Sequence, residues 1–336
     1  MMRLWFISAA AALQLLTLAY MAGERELVVH TGTVVQLQSV PVDPQDLFRG
    51  DYVRLSYQAS VLPRRLWRDG LLNAAAKRDQ KVYTVLRPGT DGLAEVEAVT
   101  DVRPKEGLYL RGRVESAWPE SLQVRYGLEA YFMQQGKVLE LEQQRNRQGI
   151  QVPLDMEVAV ARSGLAVLRG HRWGPLGLGL DLEMRPGAAA PNRGPSEFTG
   201  GVTLRLLNAS DKPLAIVDLP GGRSFRLTPE SQWQQNPWQW ANRAQSLPAV
   251  ANEHVKVLAP GAVHTVRLDL GDPAWFVEQP GKEKARTLRG LQDWHAWFRL
   301  VYEPPSPEAC VGLESAGILW HGSLLSRRFN GMQRID

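Results

Sequence analysis

KVYTVLRPGTDGLAEVEAVTDVRPKEGLYLRGRVESAWPESLQVRYGLEAYFM, residues 81–133, is the stretch on which the fold class turns. Short apolar-rich runs follow one another at KVYTVLR (81–87), AEVEAVTDV (94–102), GLYLRGRVES (107–116) and LQVRYGLEAYFM (122–133), with Gly and Pro between them. Runs of this length, punctuated in this way, read as strands of an antiparallel sheet. Long helical patterns do not alternate with them, which argues against a parallel α/β sheet.

The same texture extends in both directions. LVVHTGTVVQLQSV (27–40), DYVRLSYQ (51–58) and KVLELEQQ (137–144) read as strands, and MEVAVARSGLAVLRG (156–170) as a hairpin turning at Ser163-Gly164. PVDPQDLFRG (41–50) is a loop, because Pro41 and Pro44 do not fit a central strand and Asp43 and Asp46 cap local turns. LPRRLWRDGLLNAAAKRD (62–79) carries the pattern of a short helix, weakened by Gly70. Residues 171–201 are rich in Gly, Pro and Ala without a sustained period and read as a linker with room for one strand inside. Strands resume at VTLRLLN (202–208), LAIVDL (214–219), RSFRL (223–227), VKVLAP (255–260), AVHTVRLDL (262–270), WFRLVYE (297–303) and ILWHGSLLSRRF (318–329). Short strands at this spacing suit a sandwich, and TLRLLNASDKPLAIVDL is similar to the strand, turn and strand of immunoglobulin-like modules.

Ahead of all this, residues 4–23 (LWFISAAAALQLLTLAYMAG) hold no charge, and Glu24, Arg25 and Glu26 end the run sharply. A run of twenty uncharged, mostly apolar residues, interrupted on its faces only by Gln14 among the larger polar side chains, matches the helix needed to cross about 30 Å of hydrocarbon. Arg3 and the α-amino group favour a cytoplasmic N-terminus with the bulk of the chain outside. Cleavage as a signal peptide is disfavoured, since Tyr20/Ala22 and Met21/Gly23 are poor exits and the run exceeds a usual signal core. The expected organisation is therefore mainly β. A signal-anchor transmembrane helix occupies 1–25, a barrel-like or sandwich β domain 26–170, a linker 171–201 and an immunoglobulin-like β-sandwich 202–336. The expected location is the inner membrane, single-pass, with a periplasmic bulk.

At 336 residues the chain has room for two cores, and a 44% hydrophobic, 22% charged composition is that of a folded chain. A pI near 9.2 comes with Lys and Arg scattered among Asp and Glu, which argues against nucleic acid as a partner. Cys310 stands alone, so no intrachain disulfide forms.

Gly50-Asp51-Tyr52-Val53-Arg54-Leu55-Ser56-Tyr57 is the most specific motif. Strand alternation sets Tyr52, Arg54 and Ser56 on one face and Val53, Leu55 and Tyr57 on the other, the second set reading as core. Gly50 permits a tight turn, and Asp51 can accept backbone N–H bonds there. Together with Tyr109–Val114, Tyr126–Phe132 and Glu157–Val160 running to Gly170, the motif resembles the bacterial GDYXXLXY family over about residues 1–170. The resemblance implies an N-terminal anchor and an extracytoplasmic β domain, often paired with a multi-spanning membrane protein of unclear role. The candidate partner surface is drawn around Arg49, Gly50, Asp51, Tyr52, Arg54 and Tyr57. On the alternative reading, Asp51 and an arginine such as Arg54 or Arg111 pin a loop.

Enzymatic readings find less support. A signal-peptidase-like serine hydrolase would need a serine close before Gly50, but the nearest is Ser39, and nothing singles out Lys81 or Lys105 as base. The histidines form no H-x-H or H-x-x-x-H pair, so neither a metal nor a cofactor is implied. Trp233, Trp238 and Trp240 in SQWQQNPWQW have the character of a glycan-binding surface, with the cell wall as partner, or of aromatic plugs at the end of a sandwich.

Overall fold

The computed structural model describes residues 2–40, 52–73, 75–89, 92–118, 121–132, 146–147, 149–185, 197–230, 239–240, 248–278, 286–288 and 297–330. The chain divides into two units that interleave along it. The first comprises Met1–Ser39, Tyr57–Tyr131 and Asp155–Arg172, and the second Val40–Ser56, Phe132–Leu154 and Trp173–Asp336. Thr33–Gln38 pairs with Leu154–Val160 across more than a hundred residues, within the span expected for the first β domain. The fold is mainly β, as expected.

The first unit opens with helix α1, Met2–Thr31. Its large apolar residues Phe6, Ile7, Leu13, Leu15, Leu16, Leu18, Tyr20 and Met21 are all exposed. Among the described residues no helix is long and apolar enough to cross a membrane. The side chains of Leu4, Trp5, Ser8 and Ala9, which the sequence count of the apolar run includes, lie outside that description.

Behind the helix, Thr33–Gln38, Leu154–Val160 and Ala166–Trp173 form a three-stranded sheet. The central strand is buried nearly throughout. Its hairpin to Ala166–Trp173 turns through Ser163 and Gly164, where Gly164 takes φ of 77°, a conformation glycine adopts freely.

The stretch 81–133 supplies the heart of a five-stranded antiparallel sheet ordered Val61–Pro63, Ser121–Arg125, Leu108–Ala117, Lys81–Pro88, Ala94–Thr100. Val82, Leu86, Leu110, Val114, Leu122 and Val124 are buried on its inner face. Gly112 belongs there for want of space, since a Cβ would lie 2.4 Å from Val124 Cγ1. The run expected as one strand over 122–133 is broken at Gly127, whose φ of 79° turns the chain before Ala130–Phe132. Of the helix expected within 62–79, only the single turn Gly70–Asn73 is α-helical. The strand expected at 137–144 lies outside the described residues.

In the second unit, one sheet contains Val263–Asp269, Glu197–Asn208, Leu176–Arg185, Ile150–Gln151 and Asn146–Arg147 in that order. Another sets Phe225–Glu230 and the pieces Leu324–Leu325 and Phe329–Asn330 against Trp297–Tyr302. Leu178, Leu204, Leu206, Val266 and Leu268 from the first sheet share one core with Leu227, Phe298, Leu300, Tyr302 and Phe329 from the second, making a sandwich.

Much of the linker expected at 171–201 is strand. Leu176, Leu178 and Leu180 alternate into the core, and the intervening glycines let the next strand approach closely. A Cβ at Gly179 would lie 3.0 Å from Ile150 Cγ1, and one at Gly177 3.1 Å from Ile150 Cγ2. Those glycines are packing residues within a strand, which a composition count mistakes for linker. Residues 186–196 lie outside the described part.

Candidate functional site

Of the motif, Arg49, Gly50 and Asp51 lie outside the described residues. Tyr52–Arg54 forms a strand whose side chains are likewise outside them. From Leu55 onward the alternation expected from sequence holds: Leu55 and Tyr57 are buried and Ser56 is half-buried. Ser39 and Tyr57 form an antiparallel bridge. Tyr57 is 0% exposed, which removes it from the surface drawn around the motif. Its hydroxyl donates to the Leu128 carbonyl at 2.7 Å. Burial, with Glu129 adding to it, pushes the phenol far above its ordinary range, so Tyr57 stays neutral.

Tyr126 answers this bond from the other side. Its hydroxyl donates to the Ala59 carbonyl at 2.6 Å and lies 2.8 Å from Thr84 Oγ1. Burial raises this phenol strongly as well, against the opposing pull of the Thr84 bond. The carboxylate of Glu129 accepts the Tyr126 and Gly127 N–H groups at 2.6 and 2.9 Å and closes the turn between them. Two buried tyrosines thus tie the segments around residues 57–59 and 126–129 to each other through main-chain carbonyls.

Tyr109 makes a third tie. It donates to the Arg162 carbonyl at 2.8 Å, accepts from Arg103 Nε–H at 3.0 Å and meets Tyr83 edge-on at 5.6 Å. The hairpin tip lies against it, where a Cβ at Gly164 would sit 2.6 Å from Tyr109 Cε2. Arg111 donates its main-chain N–H to the Gly164 carbonyl at 2.7 Å. The tyrosine blocks singled out in sequence are therefore brought together, and their hydroxyls are used to fix the chain.

A polar row crosses the end of the three-stranded sheet beside Tyr57. Gln38 opposes Asp155 in the ladder and accepts a hydrogen bond from Gln58. Asp155 is only 1% exposed, and Arg172 Nε stands 3.3 Å from its Oδ2. A carboxylate so far from water is tolerable only with such a partner. In the same unit the Tyr131 hydroxyl meets His171 Nδ1 at 3.1 Å. Desolvation lowers the histidine pKa and raises that of the tyrosine, so both favour the neutral form. Sequence reasoning missed this row, whose members are scattered over 38, 58, 155 and 172; only the ladder register joins them.

Ser39 is buried, and Lys81 and Lys105 are exposed. Among the described residues no three His, Cys, Asp or Glu side chains are placed to hold a metal ion. Trp233 and Trp238 lie outside the described residues. Trp240 belongs to a two-residue strand paired with Val277–Glu278, and its side chain also lies outside them.

Residues 14–170 match the family model described as GDYXXLXY protein. No curated protein and no solved structure matches the chain. Over residues 14–170, a little under half of its length, the chain is similar to the GDYXXLXY family.

Proposed function

We propose that this chain is a single-pass inner-membrane protein whose β units lie outside the cytoplasm and serve as a non-enzymatic partner of a multi-spanning membrane protein. The observation that carries the reading is the bare apolar surface of α1. Phe6, Leu16 and Tyr20 are each about 70% exposed, and no charged residue stands between Leu4 and Gly23. Each such side chain left in water forgoes about 1.5–3 kcal/mol that burial would supply. A run of twenty residues, about 30 Å as helix, fits a hydrocarbon layer. Arg3 keeps the short end inside.

The partner surface in this reading is the polar face of the motif strand, Tyr52 and Arg54, together with Arg49 and Asp51 before it. The buried tyrosine ties support that assignment indirectly, because they supply local rigidity without using the polar face.

The test is affinity purification of the intact chain from detergent-solubilised membranes, with thermal unfolding measured on the same variants. A multi-spanning protein should co-purify with the parent. Arg54→Ala should lower its yield with little change in melting temperature, since a charge that this reading gives to the partner surface contributes about 0–1 kcal/mol to folding. Release of the chain from membranes by alkaline carbonate would sink the anchor. An Arg54→Ala variant that melts early yet still captures the partner would make the motif purely structural.

A further inference from the structure

Strand Trp297–Tyr302 points Phe298, Leu300 and Tyr302 into the sandwich core, leaving Trp297, Arg299 and Val301 on the outer face. Along its partner strand Leu325 pairs with Val301 and Phe329 with Phe298. Three residues, Ser326, Arg327 and Arg328, therefore oppose two, Leu300 and Arg299, which is a β-bulge. Ser326 takes the place across from Leu300: its N–H donates to the Leu300 carbonyl at 2.8 Å and its Oγ accepts the Leu300 N–H at 2.9 Å. Arg327 and Arg328 are left together opposite Arg299.

Gathering like charges in this way is unfavourable by itself. Arg299 is only 5% exposed and donates to the Ser326 carbonyl at 2.7 Å. Arg328 lies over the Trp297 ring at 5.0 Å. Arg327 Nε is shut off from solvent and has no acceptor among the described residues. Thr228, paired with Arg299 on the other side of the strand, likewise has a buried hydroxyl without a partner among them. Glu303, just after the strand, is engaged by Nε and Nη2 of Arg226. A buried donor without an acceptor weakens a fold, so donors kept in that state at a bulge point to an acceptor from outside the chain.

We propose that this bulge is a binding site for a phosphate group, with Arg327 as the principal donor and Arg299, Arg328 and Thr228 around it. Forked guanidinium donors match phosphate oxygens. The register, which sets Thr228 and the bulge arginines on either side of Arg299, offers donors from several residues, as suits the larger number of acceptor oxygens on phosphate than on carboxylate. The phosphate can belong to a lipid headgroup or to a free ion.

The full-length chain in nonionic detergent is titrated calorimetrically with inorganic phosphate, with dihexanoyl phosphatidylglycerol and with acetate. At least one phosphate compound should bind saturably and more tightly than acetate. Arg327→Gln should weaken that binding by roughly tenfold or more, the loss of a charge-assisted hydrogen bond. Arg267→Gln, at an exposed arginine of another strand, should leave it unchanged. Tighter binding of the lipid than of inorganic phosphate identifies a headgroup site, and the reverse identifies a free-phosphate site. Should Arg327→Gln fail to fold, Arg327→Lys keeps the charge but loses the Nε–H and should still bind more weakly. The proposal is overturned by the absence of saturable phosphate binding, by tighter binding of acetate, or by a folded Arg327 variant with parental affinity.

Discussion

The two units stabilise similar amounts of β-sheet by different means. In the first, Tyr57, Tyr109 and Tyr126 place hydroxyls on the main-chain carbonyls of Leu128, Arg162 and Ala59, between 53 and 71 residues away in sequence. In the second, leucines and phenylalanines from two sheets mesh in one apolar core. Apolar contact is tolerant of detail, whereas a buried hydroxyl must find its acceptor or lose stability. The second unit makes such a tie too, where the buried Tyr302 hydroxyl accepts the Val217 N–H at 3.0 Å and donates to the Val217 carbonyl at 3.1 Å, so the first unit, with three such tyrosines, leans further on particular residues at particular places.

The largest expected effect tests the apolar core. Leu204→Ala, at a fully buried position in Glu197–Asn208, should destabilise by about 2–5 kcal/mol through lost transfer energy and the cavity left behind. Urea unfolding followed by segment-resolved hydrogen exchange should show lost protection in the second unit. Next come Tyr57→Phe and Tyr126→Phe, each expected to cost about 1–3 kcal/mol because the Leu128 or Ala59 carbonyl is left buried without its donor. The double variant should deviate from additivity, since the two bonds join the same segments. If either single variant unfolds like the parent, the contrast between the units collapses.

A smaller effect concerns pH. Desolvation lowers the His171 pKa in the folded state, so the unfolded chain binds more protons as pH falls. The stability this gives is fully present above the unfolded value near 6.5 and is lost as pH drops below it. Replacing His171 with Gln should therefore shrink the fall in urea midpoint between about pH 7.5 and 5.5. An unchanged fall would mean that other groups carry it. Smallest of all, Arg87→Ala removes an exposed pair with Glu95 and should cost no more than about 1 kcal/mol.

How much of this was legible follows from the kind of interaction. The strands within 81–125, the Ser163-Gly164 turn and the buried set Leu55 and Tyr57 follow from period and turn chemistry, which are local. A strand within 171–201 is allowed for by the sequence but not placed by it, because Gly177 and Gly179 carry the composition of a linker while serving a close strand contact. The strand expected over 318–329 is broken where Ser326 lends its hydroxyl to the ladder, a substitution that hydropathy does not register. The Gln38–Asp155–Arg172 row and the arginines opposed at the bulge depend on register between distant segments, and no window along the chain contains them.

The central claim is that residues 4–23 hold the chain in the membrane and carry both units out of the cytoplasm. The most direct test is the activity of alkaline phosphatase fused after Asp336, an enzyme that matures only where its disulfides can form. The account predicts an active fusion that remains in the membrane fraction, and a full-length but inactive fusion would contradict it.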